Sequence, residues 1–246
     1  MKEPPMENTY QQFHQSDAIR DHVFPIVDTS RGKVEFLGTG FIIGQRNFAL
    51  TAGHVIEHAL EPAALFIVEG GWLLFSICAQ ESHPHEDLAL IELTPPTAET
   101  NWTTFFSFNH RDTRSSLTYH LWGYPEDAAI ELLSLGQGIR PDLVYSTGHV
   151  RRRLSGVPLP AIRGSQFIEV SEVAGAGCSG SPLFNSFGNS NWDLCAVYVG
   201  ERINDRSTSV GYAIVLDQIA EWVPELLGHP LEKELNNPHP RWSTPL

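Results

Sequence analysis

The chain of 246 residues is acidic, with 29 Asp and Glu against 16 Lys and Arg and a formal net charge of −13. That charge disfavours non-specific binding to nucleic acid or anionic membrane and tilts the choice of partner toward basic peptide segments. No run reaches the roughly eighteen consecutive apolar residues of a membrane helix, residues 1–20 hold no apolar core for a secretory signal, and three cysteines, Cys78, Cys178 and Cys195, form no disulfide framework, so the expected setting is the reducing cytoplasm.

Residues 1–20 read as a polar tail. Beyond them, short β-branched and aromatic segments recur between turn signals: Val23 to Val27, Val34 to Ile43, Ala64 to Val68, Trp72 to Cys78 and Leu88 to Leu93. A Pro- and Thr-rich stretch from Thr94 to Thr104 separates these from Leu117 to Trp122, Leu143 to Val150, Phe167 to Val170, Cys195 to Val199 and Val210 to Val215. This spacing is all-β. Closure into barrels removes exposed sheet edges, so two barrels are expected, over 21–110 and 111–216, with the crevice between them as the natural place for a site. Leu216, Ile219, Ala220 and Val223 recur at helical spacing, with Asp217 as N-cap and Pro224 as a terminator or kink, which predicts a helix over 217–229. Prolines and asparagines then predict an irregular tail over 230–246. No internal repeat is present.

The chemistry is concentrated in three places. Gly177-Cys178-Ser179-Gly180-Ser181-Pro182 forms a Gly-x-Ser-Gly-x-Pro run, and upstream lie Thr51-Ala52-Gly53-His54 and Asp87-Leu88-Ala89-Leu90-Ile91. A serine hydroxyl is a poor nucleophile until a base takes its proton, and an imidazole does this well when a carboxylate fixes its tautomer and stabilises its charge. His54, Asp87 and Ser179 supply the three parts. Asp87 leads into an apolar run, where a carboxylate is costly unless it has a partner, and His54 is that partner. Glu86, His83 and His85 are its rivals; a His-x-His pair can ligate metal, but no third ligand stands at a recognisable spacing, so they read as loop residues and no metal is expected. Arg151-Arg152-Arg153 reads as a solvated face rather than a docking or self-cleavage site.

The order His, Asp, Ser, among the several orders in which this constellation occurs, points to the chymotrypsin-type double barrel. The chain resembles the trypsin-like serine peptidases of the bacterial type. Gly38-Thr39-Gly40-Phe41 and Thr51-Ala52-Gly53-His54-Val55 are similar to their "GTGF…TAxHV" signature, and Gly123-Tyr124-Pro125 to the "GYP" of the second barrel. Ser181-Pro182-Leu183-Phe184-Asn185 follows the nucleophile as in glutamyl endopeptidases, and Gly211-Tyr212-Ala213-Ile214 is similar to the "GFAI" of high-temperature-requirement proteases. The resemblance runs from about Val23 to Trp222. It implies two packed six-stranded antiparallel barrels with a C-terminal helix, and a serine endopeptidase that works through an acyl-enzyme, takes a protein or peptide substrate and needs no cofactor.

Register selects Ser179 over the neighbouring Cys178, because it places Gly177 two before, Gly180 one after and Pro182 three after the nucleophile. The backbone N–H groups of Gly177 and Ser179 are then the oxyanion hole. The family's primary pocket maps onto Val173 and Ala174, six and five residues before Ser179, and onto Tyr198, Val199 and Gly200. None is acidic, so an apolar or small residue is expected before the scissile bond, unless a loop insertion brings in Glu172 or Glu201. Where digestive relatives have the aspartate that captures a new N-terminus, Cys178 stands, so cleavage-driven activation is not expected; restraint falls to narrow specificity or to an oxyanion hole completed by a partner protein. Val199 stands where many relatives have a serine that supports the catalytic aspartate. A protease-like binding or regulatory protein is the alternative, against which the intact His54, Asp87, Ser179 and Gly177 count.

Overall fold

Half-buried β-branched and aromatic residues punctuated by Gly and Pro pack well on a pleated surface. The computed structural model describes residues 19–30, 32, 34–68, 71–108, 113–126, 132–133, 136–137, 142–187, 190–203 and 209–238. One 3₁₀ turn, Ile19–Asp21, precedes strands β1 (Val23–Asp28), β2 (Glu35–Ile43) and β3 (Phe48–Thr51), which lead into the one-turn helix α1 (Gly53–Ile56). Strands β4 (Pro62–Val68), β5 (Gly71–Ser82) and β6 (Ala89–Leu93) complete a closed barrel in the order β1-β2-β3-β6-β5-β4.

The next strands are β7 (Ser107–Phe108), β8 (Thr118–Gly123), the small hairpin β9 (Leu132–Leu133) and β10 (Gly136–Gln137), then β11 (Val144–Ser155), β12 (Gln166–Val170), β13 (Pro182–Phe187), β14 (Ser190–Ile203) and β15 (Ser209–Val215). Six of them form the second barrel, β13-β8-β11-β12-β15-β14, closed by the pairing of β13 with β14. All its ladders are antiparallel. β7, which falls within the expected first unit, instead adds to β14 in parallel. Two strands that appeared in the sequence only as motifs, β3 and β13, are barrel staves.

An apolar cluster fills the first barrel and runs across the junction to Phe106, Phe184, Val199 and Ile214. A second, containing Tyr119, Leu121, Ile168, Ala196, Tyr198 and Ala213, belongs to the second barrel. Between the barrels sits Thr39, fully buried in β2. Its N–H donates to the Ser179 carbonyl at 2.9 Å, its hydroxyl donates to the Gly177 carbonyl at 3.0 Å and accepts from the Tyr124 N–H at 3.0 Å, and its carbonyl accepts from the Thr51 hydroxyl at 2.7 Å.

The C-terminal segment departs from the expected helix over 217–229. A 3₁₀ turn at Leu216–Gln218 is followed by i→i+3 bonds from Ile219 to Leu216 and from Trp222 to Ile219, and Pro224 has no N–H to continue a helix. Asp217 is not the N-cap; that position is Val215. Leu216, Ile219 and Ala220 are buried while Val223 is 54% exposed, so tight turns rather than an α-helix satisfy the apolar spacing. The chain then folds back, with the N–H of Leu231 donating to Trp222 and that of Glu232 to Ala220. The α-helix, α2 (Leu231–Leu235), lies where an irregular tail was expected. Its buried Glu234 pairs with Arg46 and accepts from the Gln45 N–H at 3.3 Å, fastening the C-terminal segment to the β2–β3 turn. The polar tail read over 1–20 lies outside the described residues up to residue 18.

The basic run is not simply solvated. Arg151 and Arg152 both reach Glu169, at 3.5 and 2.8 Å, whose side chain is buried in β12.

Candidate active site

Strand β3 ends at Thr51, Ala52 remains extended with φ −71° and ψ 143°, and α1 begins at Gly53, which puts His54 on the rim of the first barrel with its side chain 37% exposed. A Cβ on Gly53 would lie 2.9 Å from Asp87 Oδ1 and 3.3 Å from the Leu88 nitrogen. The small residue therefore makes room for the carboxylate.

Asp87 is almost fully buried just before β6. Its Oδ2 lies 2.6 Å from His54 Nδ1, and its Oδ1 accepts from the His54 N–H at 2.8 Å. Two bonds from one residue satisfy the carboxylate and orient the imidazole, so the N–H of His54 supports Asp87 where Val199 carries no hydroxyl. An Nδ1–H directed at Asp87 leaves Nε2 as the basic nitrogen.

The rivals of Asp87 shape its loop. His83 Nδ1 accepts from the N–H groups of His85, at 3.2 Å, and Glu86, at 2.9 Å, and burial holds its pKa below the ordinary imidazole value, which preserves the acceptor. Glu86, 5% exposed, accepts from the Ser165 N–H at 3.1 Å and from the Ser165 hydroxyl at 2.7 Å. The Asp87 N–H donates to the Arg163 carbonyl at 3.0 Å. The loop between β11 and β12 thus clasps the Asp87 loop from the other barrel. Among the described residues no group of three or more His, Cys, Asp or Glu is placed to hold a metal.

Ser179 lies on the second barrel between two turns, closed by the Cys178 N–H donating to Gly175 at 3.1 Å and the Ser181 N–H to Cys178 at 3.0 Å. Gly177 has φ +92°, and the Phe36 ring and the backbone of Tyr124 and Glu126 lie against it. Among the described residues the N–H groups of Gly177 and Ser179 have no hydrogen-bond partner, which leaves two donors beside the Ser179 hydroxyl. The Ser179 hydroxyl is aimed at the Val199 carbonyl, 3.5 Å away, and no hydrogen bond joins it to His54. Cys178 is buried, with its Sγ 3.1 Å from the Ala174 carbonyl.

The pocket residues divide. The Tyr198 side chain is buried in the second barrel's cluster, and Ala174 packs against that cluster. The Tyr198 hydroxyl accepts from the Ala174 N–H at 3.2 Å and donates to Glu201 at 2.9 Å, and Glu201 also accepts from the Gly175 N–H at 2.9 Å. Val199 meets the site through its carbonyl, while Val173 and Gly200 are half-buried. In the sequence, Glu86 reads only as a rival of Asp87 and Thr39 only as part of a signature, and Ser165 is not singled out. The signal for Thr39 was a hydroxyl between two glycines in an otherwise apolar strand; for Glu86 it was a second carboxylate at the edge of a buried run.

The model of the trypsin-like peptidase domain matches residues 38–190. No curated protein matches the chain. Among solved structures, the apo MamO protease domain of Magnetospirillum magneticum is 16% identical with a TM-score of 0.59, over 84% of this chain and 98% of that one. The Rv3671c protease of M. tuberculosis in its active form is 19% identical with a TM-score of 0.59, over 83% and 80%. The HtrA-type protease AlgW with a tripeptide is 17% identical with a TM-score of 0.57, over 82% of this chain and 60% of AlgW. At these identities the likeness is one of fold.

Proposed function

The chain belongs to the trypsin-like peptidase domain family, and from that premise we propose that it is a serine endopeptidase hydrolysing peptide bonds through an acyl-enzyme on Ser179. The observation that carries this reading is the double grip of Asp87 on His54, on the rim of the barrel whose β2 is bonded through Thr39 to the Ser179 carbonyl. His54 Nε2 takes the Ser179 proton as the hydroxyl attacks the carbonyl, Asp87 stabilises the imidazolium, and the N–H groups of Gly177 and Ser179 receive the oxyanion. His54 then gives its proton to the leaving amine, and water repeats the sequence in reverse on the ester. The chemistry needs no metal or cofactor.

The residue before the scissile bond is small or apolar. Tyr198 is buried beside Ala174, and the Glu201 carboxylate is already engaged by Tyr198 and Gly175, so it is not free to receive a basic side chain. AlgW is described with bound peptides, and a peptide is the ligand class proposed here. None of the three cysteines is in a disulfide, which supports a cytoplasmic setting.

A second reading has its own support. The Ser179 hydroxyl faces Val199 rather than His54, and Rv3671c has been solved in an inactive form as well as an active one. A latent protease, or a protease-like binding protein awaiting a partner, has a serine in this position. Rotation about one side-chain bond re-aims the hydroxyl, and hydrogen bonds of this kind commonly tighten only with substrate, so the endopeptidase reading is preferred. Incubating wild type and Ser179→Ala with a diverse peptide library, and reading cut sites by mass spectrometry, decides between them. Cuts at small or apolar residues that fall by about 10⁴-fold or more in the variant support the proposal. No cutting and no fluorophosphonate labelling of Ser179 in the wild type would sink it.

A further inference from the structure

We propose that Glu201 is a positioning residue for the oxyanion loop: its carboxylate, with the Tyr198 hydroxyl it accepts from, pins the backbone N–H groups of Gly175 and Ala174 and so fixes the turn that carries the N–H groups of Gly177 and Ser179. This rests on the endopeptidase reading for its catalytic consequence, and on geometry alone for the brace itself.

The brace is a product of strand irregularity. In a regular strand, residues three apart point to opposite faces. Between Tyr198 and Gly200 the pairing of β14 with β15 slips, so Tyr198 opposes Ala213 but Gly200 opposes Tyr212. This bulge inserts Val199 as an extra residue and turns Tyr198 and Glu201 to the same side. There the Glu201 Oε2 accepts from the Tyr198 hydroxyl at 2.9 Å and from the Gly175 N–H at 2.9 Å, and the same hydroxyl accepts from the Ala174 N–H at 3.2 Å. The loop continues directly into the site: the Gly175 carbonyl takes the Cys178 N–H, and the Ala174 carbonyl lies 3.1 Å from Cys178 Sγ. Gly175 and Gly177 both have φ +92°, so the segment has more conformational freedom than most residues allow and needs outside contacts to choose one arrangement. The bulged Val199 meanwhile supplies the carbonyl facing the Ser179 hydroxyl.

A carboxylate in this place holds the loop in the uncleaved chain, without a new N-terminus. Because the oxyanion hole acts on the transition state, loosening it lowers kcat and leaves KM nearly unchanged. One oxygen of Glu201 accepts both bonds, so a neutral amide oxygen serves as well. That separates a brace from a carboxylate that recognises a basic substrate group, for which charge is essential.

The test is a comparison of Glu201→Leu, Glu201→Gln and Tyr198→Phe with wild type, using a peptide whose cleavage is lost in Ser179→Ala, together with amide exchange at Ala174 and Gly175. Expected are a fall in kcat of about 10- to 100-fold in Glu201→Leu with KM within about twofold, recovery of most of the rate in Glu201→Gln, and a fall of about 3- to 10-fold in Tyr198→Phe, on the scale of losing part of an oxyanion donor. Exchange at Gly175 quickens at least about tenfold in Glu201→Leu and stays slow in Glu201→Gln. Wild-type kcat in Glu201→Leu, or a glutamine variant as slow as the leucine one, overturns the proposal. If the wild type neither cleaves nor labels, the endopeptidase reading has failed, and the exchange rates alone decide the brace: unchanged exchange in both Glu201→Leu and Tyr198→Phe overturns it.

Discussion

His54 and Asp87 hold each other directly, 33 residues apart on one barrel, with the carboxylate meeting both the ring and the backbone of the histidine. The Ser179 loop hangs instead on groups from several places: Thr39 of β2 bonds Gly177 through its hydroxyl and Ser179 through its N–H, the backbone of Glu126 donates to Ala176 at 2.6 Å, and Glu201 and Tyr198 take Gly175 and Ala174. The His54–Asp87 pair is therefore made within the first barrel, and the second barrel reaches only the loop that carries Asp87, through Arg163 and Ser165. The Ser179 side is an agreement between the barrels, and its geometry is exposed to changes far from Ser179.

That contrast is sharpest at two glycines. A Cβ on Gly180, at φ +91°, runs into the Thr39 carbonyl and the Thr51 hydroxyl, so Gly180→Ala strains the backbone and pushes the barrels apart. A loss of about 3–5 kcal/mol is expected by denaturant titration; an unchanged midpoint would remove the barrel-to-barrel account of this loop. Gly53→Ala disturbs only the local half, by pressing on the Asp87 carboxylate. Its expected effect is a fall of about 10²-fold in kcat/KM with little change in stability, and a wild-type rate would show that the carboxylate tolerates displacement.

Thr39→Val keeps the shape of the side chain but strands the Gly177 carbonyl and the Tyr124 N–H. It should cost about 2–3 kcal/mol and slow fluorophosphonate labelling of Ser179, whereas loss of stability without slower labelling would separate the hub from the site. The smallest effect is expected away from both halves, at His22, whose Nδ1 lies 3.0 Å from the Thr103 carbonyl and whose ring packs edge-on against Phe105 and Phe106. Burial lowers its pKa from 6.5 to about 4, so the unfolded chain binds the proton first. The neutral ring's contribution to stability is complete above about pH 6.5 and is lost as the pH falls toward 4. In His22→Phe the decline over that interval should flatten; an unaltered slope would assign the decline to other groups.

The sequence was most legible where one short segment does one job. Thr51 to His54 and the residues around Asp87 and Ser179 announced themselves by type and order, and most strands by β-branched and aromatic runs. It was least legible where a role depends on a partner from elsewhere. Glu86 looked like a loop rival of Asp87 and became a buried clasp on Ser165; Arg151 and Arg152 looked solvated and share the buried Glu169. The helix expected over 217–229 failed because apolar spacing of three and four residues suits successive tight turns as well as an α-helix, and Pro224 favoured the turns.

The amino-acid order by itself determined the all-β character, because alternation and turn chemistry act over a few residues, and its short motifs pointed to the double-barrel class and to His54, Asp87 and Ser179 as candidates. Only the tertiary structure decided that Thr39 joins the barrels, that the His54 N–H supports Asp87, and that a bulge at Val199 brings Glu201 to the Gly175 N–H. Those depend on register and closure, which bring together groups as distant in the chain as Thr39 and Ser179, and no local preference encodes which distant carbonyl or N–H a side chain will meet.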